Sequence, residues 1–322
     1  VLGKKLGVDL GTSTVRVVTR GEASLIAEPA VVAIRDGDAG LTLLGTAALE
    51  AAVEDRTIEL RRPIRGGDVA DQRALSVLMH LAVNRAVGRQ RIFKPDLVVA
   101  VRAGMSGDDR RSVLEAAARA GARTVYLIDA AIAAAMGAGM TVTSAQAHLV
   151  IDIGAGKTDV AVLALEGTVA SRSLVSGSED LFDRLAAHVE TAHGVVLDRA
   201  DLREAAHLLV AASHEERTAE IGGVLLSSDD LSSLVAEYLR PLDTALLEVL
   251  DETPAALDRD VRGTGIVLTG GGARLEGIER HVAHLAGMPA RVAREPEQCT
   301  VRGTGLAVDN LDVLRRNFMY IR

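Results

Sequence analysis

The chain has 322 residues, 48% apolar and 25% charged, with a formal charge of -8; these figures exclude a disordered, collagen-like or disulfide-stapled protein and favour two domains over one. Three Phe, three Tyr and no Trp remove most stacking platforms for bases or sugars, and the acidic balance opposes phosphate neutralisation, so no nucleic-acid partner is expected. A lone Cys299 excludes an intrachain disulfide and a cysteine zinc site, and with no apolar run of the ~20 residues a spanning helix needs and no signal-like start at Val1 to Leu6, a cytoplasmic protein is expected.

The first hundred residues alternate strand and helix patterns. Leu6 to Leu10 reads as a buried strand, Gly11 to Thr14 as a tight turn and Val15 to Val18 as its antiparallel return. Ala30 to Ile34 is another strand, closed by Asp36-Gly37-Asp38. Apolar positions at Leu75, Leu78, Met79, Leu81 and Ala82 predict a helix within Asp68 to Val87. Leu97 to Val101 then predicts a strand, Asp108 to Ala120 an Ala-rich helix and Val125 to Ile128 a further buried strand. That order implies parallel strands joined by crossover helices.

The pattern then restarts. His148 to Ile153 predicts a strand, Gly154 to Lys157 a turn and Thr158 to Leu165 a return strand, so a strand ending in Asp-x-Gly recurs 143 positions on, from Asp9 to Asp152. Two homologous halves are the inference, meeting near Met140 to Gln146. Helices are expected from Glu179 to Ala192 and from Asp198 to Ala212, with an irregular stretch from Ser213 to Ser228. A long helix from Leu231 to Leu250 follows, then a strand from Gly265 to Leu268 running into Thr269-Gly270-Gly271-Gly272, and a helix from Arg274 to Leu285.

An Asp at the end of a buried strand, followed by small residues, sets a carboxylate beside backbone N–H groups that glycine lets an anion approach. Two such turns in corresponding places predict a polyphosphate held from both sides of a cleft, with Asp9 and Asp152 organising a magnesium ion through water. Gly270 to Gly272 add a third close-approach point, suited to a base or to the α-phosphate. The plain alternative for each turn alone is a tight hairpin. Gly154-Ala155-Gly156-Lys157-Thr158 also looks like the tail of a P-loop. That motif needs Gly where Ile151 stands, and a helix where Thr158 to Leu163 alternates as a strand.

Val8-Asp9-Leu10-Gly11-Thr12, Asp152-Ile153-Gly154-Ala155-Gly156 and Leu268-Thr269-Gly270-Gly271-Gly272 resemble the two phosphate motifs and the adenosine motif of the actin, Hsp70 and sugar-kinase superfamily. Glu28-Pro29-Ala30-Val31-Val32-Ala33-Ile34, Arg62-Pro63, Ala70-Asp71, Ile92-Phe93-Lys94-Pro95, Ala120-Gly121-Ala122-Arg123 and Arg302-Gly303-Thr304-Gly305 stand in the order found in MreB and Mbl bacterial actins. The chain is similar to that family from about Leu6 to Asn310. The resemblance implies an α/β, actin-like two-lobed ATPase fold, duplicated ribonuclease-H-like domains with a nucleotide cleft between them. The first lobe would span 1–140, with a small subdomain at about 30–70; the second would span 147–322, with a shortened small subdomain at about 198–230.

The resemblance further implies ATP or ADP and Mg2+ as cofactors, held by Gly11, Thr12, Ser13, Thr14, Gly154, Ala155, Gly156, Lys157, Gly177, Gly270, Gly271, Gly272, Ala273 and Arg274. It implies a cytoskeletal protein that self-assembles into filaments, sits at the inner face of the cell membrane and, with wall-synthesis proteins as partners, organises wall growth and cell shape. The alternatives are a non-polymerising nucleotide-binding regulator or adaptor, and a small-molecule kinase of the same superfamily.

Several positions depart from the family pattern. Its Glu-Glu-Pro stands here as Asp129-Ala130-Ala131, and its Gly-Gly-Gly-Thr as Gly154-Ala155-Gly156-Lys157. In the family the Glu before Pro positions the attacking water and the Thr helps hold that water and the γ-phosphate. Ala130 and Lys157 therefore imply binding of ATP with little or no hydrolysis. Asp129 is the candidate substitute carboxylate, though a strand end should turn it to the other face. Lys157 is expected beside the β- and γ-phosphates, or folded outwards. The family's Gly-Glu-Arg-Thr segment on the adenine side is replaced by Asp198-Arg199-Ala200-Asp201, with a similar Glu216-Arg217-Thr218-Ala219-Glu220 further on.

Ile92 and Phe93 form an apolar pair among Arg85, Arg89, Arg91 and Lys94, which fits a membrane-inserting loop with a basic rim for anionic headgroups; burial in the core is the alternative. His281 and His284 lie one helical turn apart without a third ligand and read as a half-exposed helix face. Cys299, in an expected loop, reads as a packed thiol, and Ser176-Gly177-Ser178 lacks a nucleophile elbow.

Overall fold

The computed structural model describes residues 3–22, 25–34, 42–88, 93–165, 167–211, 218–309 and 319–321. The chain forms two compact units, Val1–Thr143 with Gln298–Arg322 and Ser144–Glu297.

In the first unit β1 (Lys5–Leu10), β2 (Thr14–Thr19) and β3 (Leu25–Pro29) make an antiparallel meander. The single strand expected from Ala30 to Ile34 is cut, because Val31 N–H donates back to Pro29 O at 2.8 Å and turns the chain out of the first sheet. β4 (Val32–Ile34), β5 (Thr42–Leu44) and β6 (Glu59–Arg61) then form a small sheet with α1 (Thr46–Glu54) packed on it. Val31, Ala33, Ala48 and Ile58 give this piece a core of its own. A hairpin of β7 (Ile64–Arg65) and β8 (Asp68–Val69) leads to α2 (Gln72–Val87), whose start is capped by Asp71 accepting from Ala74 N–H at 2.9 Å. β9 (Asp96–Val101), α3 (Gly107–Arg119) and β10 (Thr124–Asp129) extend the main sheet in parallel from β1. Ser106 caps α3 and Asp108 and Asp109 occupy its first turn, where the helix dipole favours negative charge. The short α4 (Ala130–Gly137) follows, with Ala130 to Ala135 all buried.

The second unit repeats the opening with β11 (His148–Ile153), β12 (Thr158–Ala164) and β13 (Gly167–Leu174). α5 (Ser178–His193) and α6 (Arg199–Ala211) come next. Of the stretch expected to be irregular, residues 213–217 lie outside the described residues, and the rest is instead a hairpin of β14 (Thr218–Ile221) and β15 (Val224–Ser227). Gly222 and Gly223, at φ of 57° and 79°, form its two-residue turn, and positive φ at both central positions matches the twist of the flanking strands. α7 (Ser228–Glu252), α8 (Ala255–Thr264), β16 (Ile266–Thr269), a 3-10 turn at Gly271–Arg274, α9 (Ile278–Ala286) and β17 (Ala290–Val292) complete the unit.

The main sheets run β18-β10-β9-β1-β2-β3 and β13-β12-β11-β16-β17, where β18 (Met319–Ile321) is an added edge strand antiparallel to β10. Without that edge the two orders correspond strand for strand and direction for direction. The two opening hairpins also share their register: Asp9 faces Arg16 across β1 and β2, and Asp152 faces Asp159 across β11 and β12. Each sheet has its own core, around Leu6, Val8, Leu75, Leu78 and Leu97 in the first unit and Leu149, Ile151, Val160, Leu181 and Leu268 in the second.

The expected second lobe, 147–322, runs too far. From Gln298 the chain returns to the first unit, where α10 (Cys299–Ala307) packs on α4, β1 and β9. Glycine makes this approach possible. A Cβ at Gly303 would lie 1.7 Å from Ala133 O, one at Gly137 1.8 Å from Cys299 O, and one at Gly7 2.4 Å from Thr304 Oγ1. Cys299 is therefore not in a loop; it opens α10 and is buried. No helix among the described residues is long and apolar enough to cross a membrane.

Candidate functional site

The turn between β1 and β2 is held from three sides. A Cβ at Gly11 would meet Thr14 O at 2.6 Å, Thr12 is buried, and Ala30 N–H donates to Ser13 O at 2.9 Å. Among the described residues the amides of Thr12 and Ser13 donate to no protein group. The register that sets Arg16 opposite Asp9 brings Arg16 Nη1 to 3.5 Å from Asp9 Oδ2.

In the second unit the Gly154 N–H closes the equivalent turn on Lys157 O at 2.8 Å. The start of α5 presses on this turn: Ser178 and Glu179 N–H donate to Gly154 O and Ala155 O at 3.0 and 2.8 Å. A Cβ at Gly177 would stand 2.4 Å from Ala155 O, so Gly177 serves this packing, and the first amides of α5 are spent on the turn. Among the described residues the amides of Ala155 and Gly156 donate to no protein group. The glycine run divides in the same way. Gly270, at φ of 81°, and Gly272 lie against Ile153, where added Cβ atoms would come within 2.2 Å of its oxygen and 2.3 Å of its Cγ2. A Cβ at Gly271 would meet nothing within 4 Å. Ala273 is buried, and Arg274 is held in a two-pronged pair with Glu297, its Nε and Nη2 at 2.8 and 2.9 Å from the carboxylate.

Lys157 is not folded outwards. Its ammonium lies 3.6 Å from Asp152 Oδ2 and in direct hydrogen bond with Asp159 Oδ2. The other oxygens of both carboxylates are also engaged: Thr269 Oγ1 donates to Asp152 Oδ1 at 3.0 Å, and Ser173 Oγ donates to Asp159 Oδ1. Burial pushes the Asp152 carboxyl above the ordinary carboxylate range, and the Lys157 charge opposes that rise. The expected magnesium seat does not fit this donor set. Asp9 is committed to Arg16 and Asp152 to an ammonium and a hydroxyl, whereas a magnesium ion needs carboxylate oxygens open to its retained waters.

Ala130 is 2% exposed in the first turn of α4. Asp129 ends β10, and its Oδ1 lies 3.4 Å from Arg110 Nη2, which also bonds Ala103 O. Of the basic apolar loop, Arg89, Arg91 and Ile92 lie outside the described residues. Phe93 is 48% exposed, Lys94 is exposed, and Arg85 pairs with Glu28 on β3. His281 bonds Asp243 at 2.6 Å while His284 is exposed. Among the described residues no three His, Cys, Asp or Glu side chains gather as a metal site.

Sequence reasoning missed Arg16, Asp159 and Ser173, and named Thr269 in the glycine motif without its bond to Asp152. The signal for the first two was present: once a turn is placed, antiparallel pairing fixes the residue opposite each Asp. Ser173 on β13 carries no such local mark, and the meeting of Ser173 and of Thr269 on β16 with the two carboxylates depends on strand order.

A profile of the family described as MreB/Mbl protein matches residues 3–316. The cell shape-determining protein MreB of Escherichia coli (strain K12) is 31% identical over 326 residues, which cover 96% of this chain and 94% of that protein. Among solved structures, MreB5 of Spiroplasma citri bound to ADP is similar at a TM-score of 0.85 and 23% identity, over 98% of this chain and 99% of that one. A MamK double helical filament gives 0.76 at 21% identity, over 95% and 98%. The fold is actin-like.

Proposed function

Because the chain belongs to the MreB/Mbl family of cell shape-determining proteins, we propose that it is a nucleotide-binding cytoskeletal protein that assembles with its own copies into filaments at the inner face of the cell membrane and organises wall synthesis and cell shape. The carrying observation is the repeated hairpin turn, with an Asp at the same place in both units and two amides in each turn that, among the described residues, no protein group takes. Such amides suit phosphate oxygens. Thr12, Ser13, Ala155 and Gly156 are assigned to the phosphates of ATP or ADP, and the open face of Gly271 to the base or the α-phosphate. The ADP held by MreB5 and the filament formed by MamK support the two halves of this reading.

Sedimentation tests it. Polymer should pellet with ATP and stay soluble without nucleotide. A chain that binds a fluorescent ATP analogue yet never pellets is the non-polymerising regulator instead, and one that consumes ATP only with an added small-molecule acceptor is the kinase.

Membrane contact is assigned to Phe93, half exposed, together with Ile92 and the basic residues around them. Changing Ile92 and Phe93 together to Ser should abolish co-sedimentation with anionic liposomes and leave nucleotide affinity unchanged. Salt should weaken the wild-type interaction, since exposed charges are screened over about 8 Å at physiological ionic strength. Unchanged sedimentation of the double variant would return the pair to a packing role.

A further inference from the structure

We propose that the Lys157 ammonium stands in for the divalent cation of the nucleotide site, so that this chain binds nucleotide without magnesium at Asp152. The inference rests on the nucleotide reading above and concerns how the charge at that site is balanced.

The β11 and β12 register sets Asp152 directly opposite Asp159. Residues so paired share a face of the sheet, with Cβ atoms about 5 Å apart. Their side chains are 6% and 4% exposed, so two like charges would face each other away from water. Such a pair holds only with a cation between its members or with one member protonated, and here a cation is present. Lys157 precedes β12 by one residue, is itself only 15% exposed, and reaches both carboxylates. Thr269 and Ser173 occupy the remaining oxygens. A magnesium ion at Asp152 would have to enter with its retained waters beside an ammonium already in contact with that carboxylate.

The other hairpin supports the same logic. At the register position equivalent to Asp159 the first unit carries Arg16, which pairs with Asp9. Both turn carboxylates are thus balanced by cations of the chain, one supplied across the strand and one from the turn itself. A threonine at 157, as in the family pattern, has no charge to offer and would leave the Asp152 and Asp159 pair to be balanced by a divalent ion or, without one, by a proton.

Two arms test this. In the first, a fluorescent ATP analogue is titrated into the wild-type chain in excess magnesium and in excess EDTA. The affinities should agree within about threefold, and a loss of about tenfold or more in EDTA overturns the proposal. In the second, Mn2+ alone is added without nucleotide to the wild-type chain and to Lys157→Thr. Mn2+ should raise the melting temperature of Lys157→Thr, or restore its fold if it is unfolded without metal, and leave the wild-type chain unmoved. Stabilisation of the wild-type chain by Mn2+ that disappears in Asp152→Asn overturns the proposal. If no nucleotide binds in either buffer, the nucleotide reading fails on its own account, and the Mn2+ arm still decides whether Lys157 holds the cation position. If Lys157→Thr does not fold even with Mn2+, the wild-type measurements decide.

Discussion

Phosphate release at saturating ATP and magnesium is expected to stay near background in the wild-type chain and to rise about 10²-fold or more when Ala130→Glu is combined with Lys157→Thr. Catalysis in this class rests on positioning a water and stabilising charge, and the methyl group of Ala130 offers water no acceptor. The nearest other carboxylate, Asp129 one residue earlier, ends β10 with its Oδ1 3.4 Å from Arg110 on α3. Lys157, at the other altered position, is turned inwards onto Asp152 and Asp159. Restoring threonine frees Asp152, and restoring glutamate places an acceptor in the first turn of α4, where the helix dipole favours negative charge. Ala130 is buried, so the glutamate must leave its packed surroundings, and folding of the double variant should be checked by circular dichroism before its rate is read. A wild-type rate typical of hydrolysing bacterial actins would refute this assignment.

Gly303→Ala should destabilise the first unit by about 3 kcal/mol or more, at the upper end of overpacking costs. The added methyl would lie 1.7 Å from Ala133 O, a backbone atom of α4 that cannot swing away, so two helices and the strand beneath them must move apart. For a unit of this size the melting temperature should fall by about 6–12 °C. Gly107→Ala, at the start of α3, meets nothing within 4 Å and should stay within about 0.5 kcal/mol of wild type. Calorimetry of the two variants compares them directly. Equal stability would mean that α10 does not lie on α4 as described.

Much of this architecture was legible locally. The alternation from Thr158 onward separated a strand from the helix a P-loop requires, and β12 is that strand. Asp9 and Asp152 marked the repeat, which the strand orders of both sheets now display. The hairpin at Gly222 and Gly223 was also legible and was missed, although a Gly-Gly pair between apolar residues is among the stronger turn signals. Other features could not be read from local pattern. α4 is nearly all alanine and buried all round, so it has no polar face to give a helical period. The return of α10 to the first unit depends on Gly137, Gly303 and Gly7 meeting distant backbone, a complementarity that appears only once the chain is folded. The ion cluster of Lys157, Asp152 and Asp159 needed the strand register, because residues two and seven positions from one another say nothing alone about a shared face.

The most direct test of the filament account is electron microscopy of the purified chain on anionic liposomes, with ATP, with a non-hydrolysable analogue and with no nucleotide. Filaments should line the vesicles with either nucleotide, since assembly needs binding and not cleavage, and should be absent without one. Bare vesicles under all three conditions, with nucleotide binding intact in solution, would contradict it.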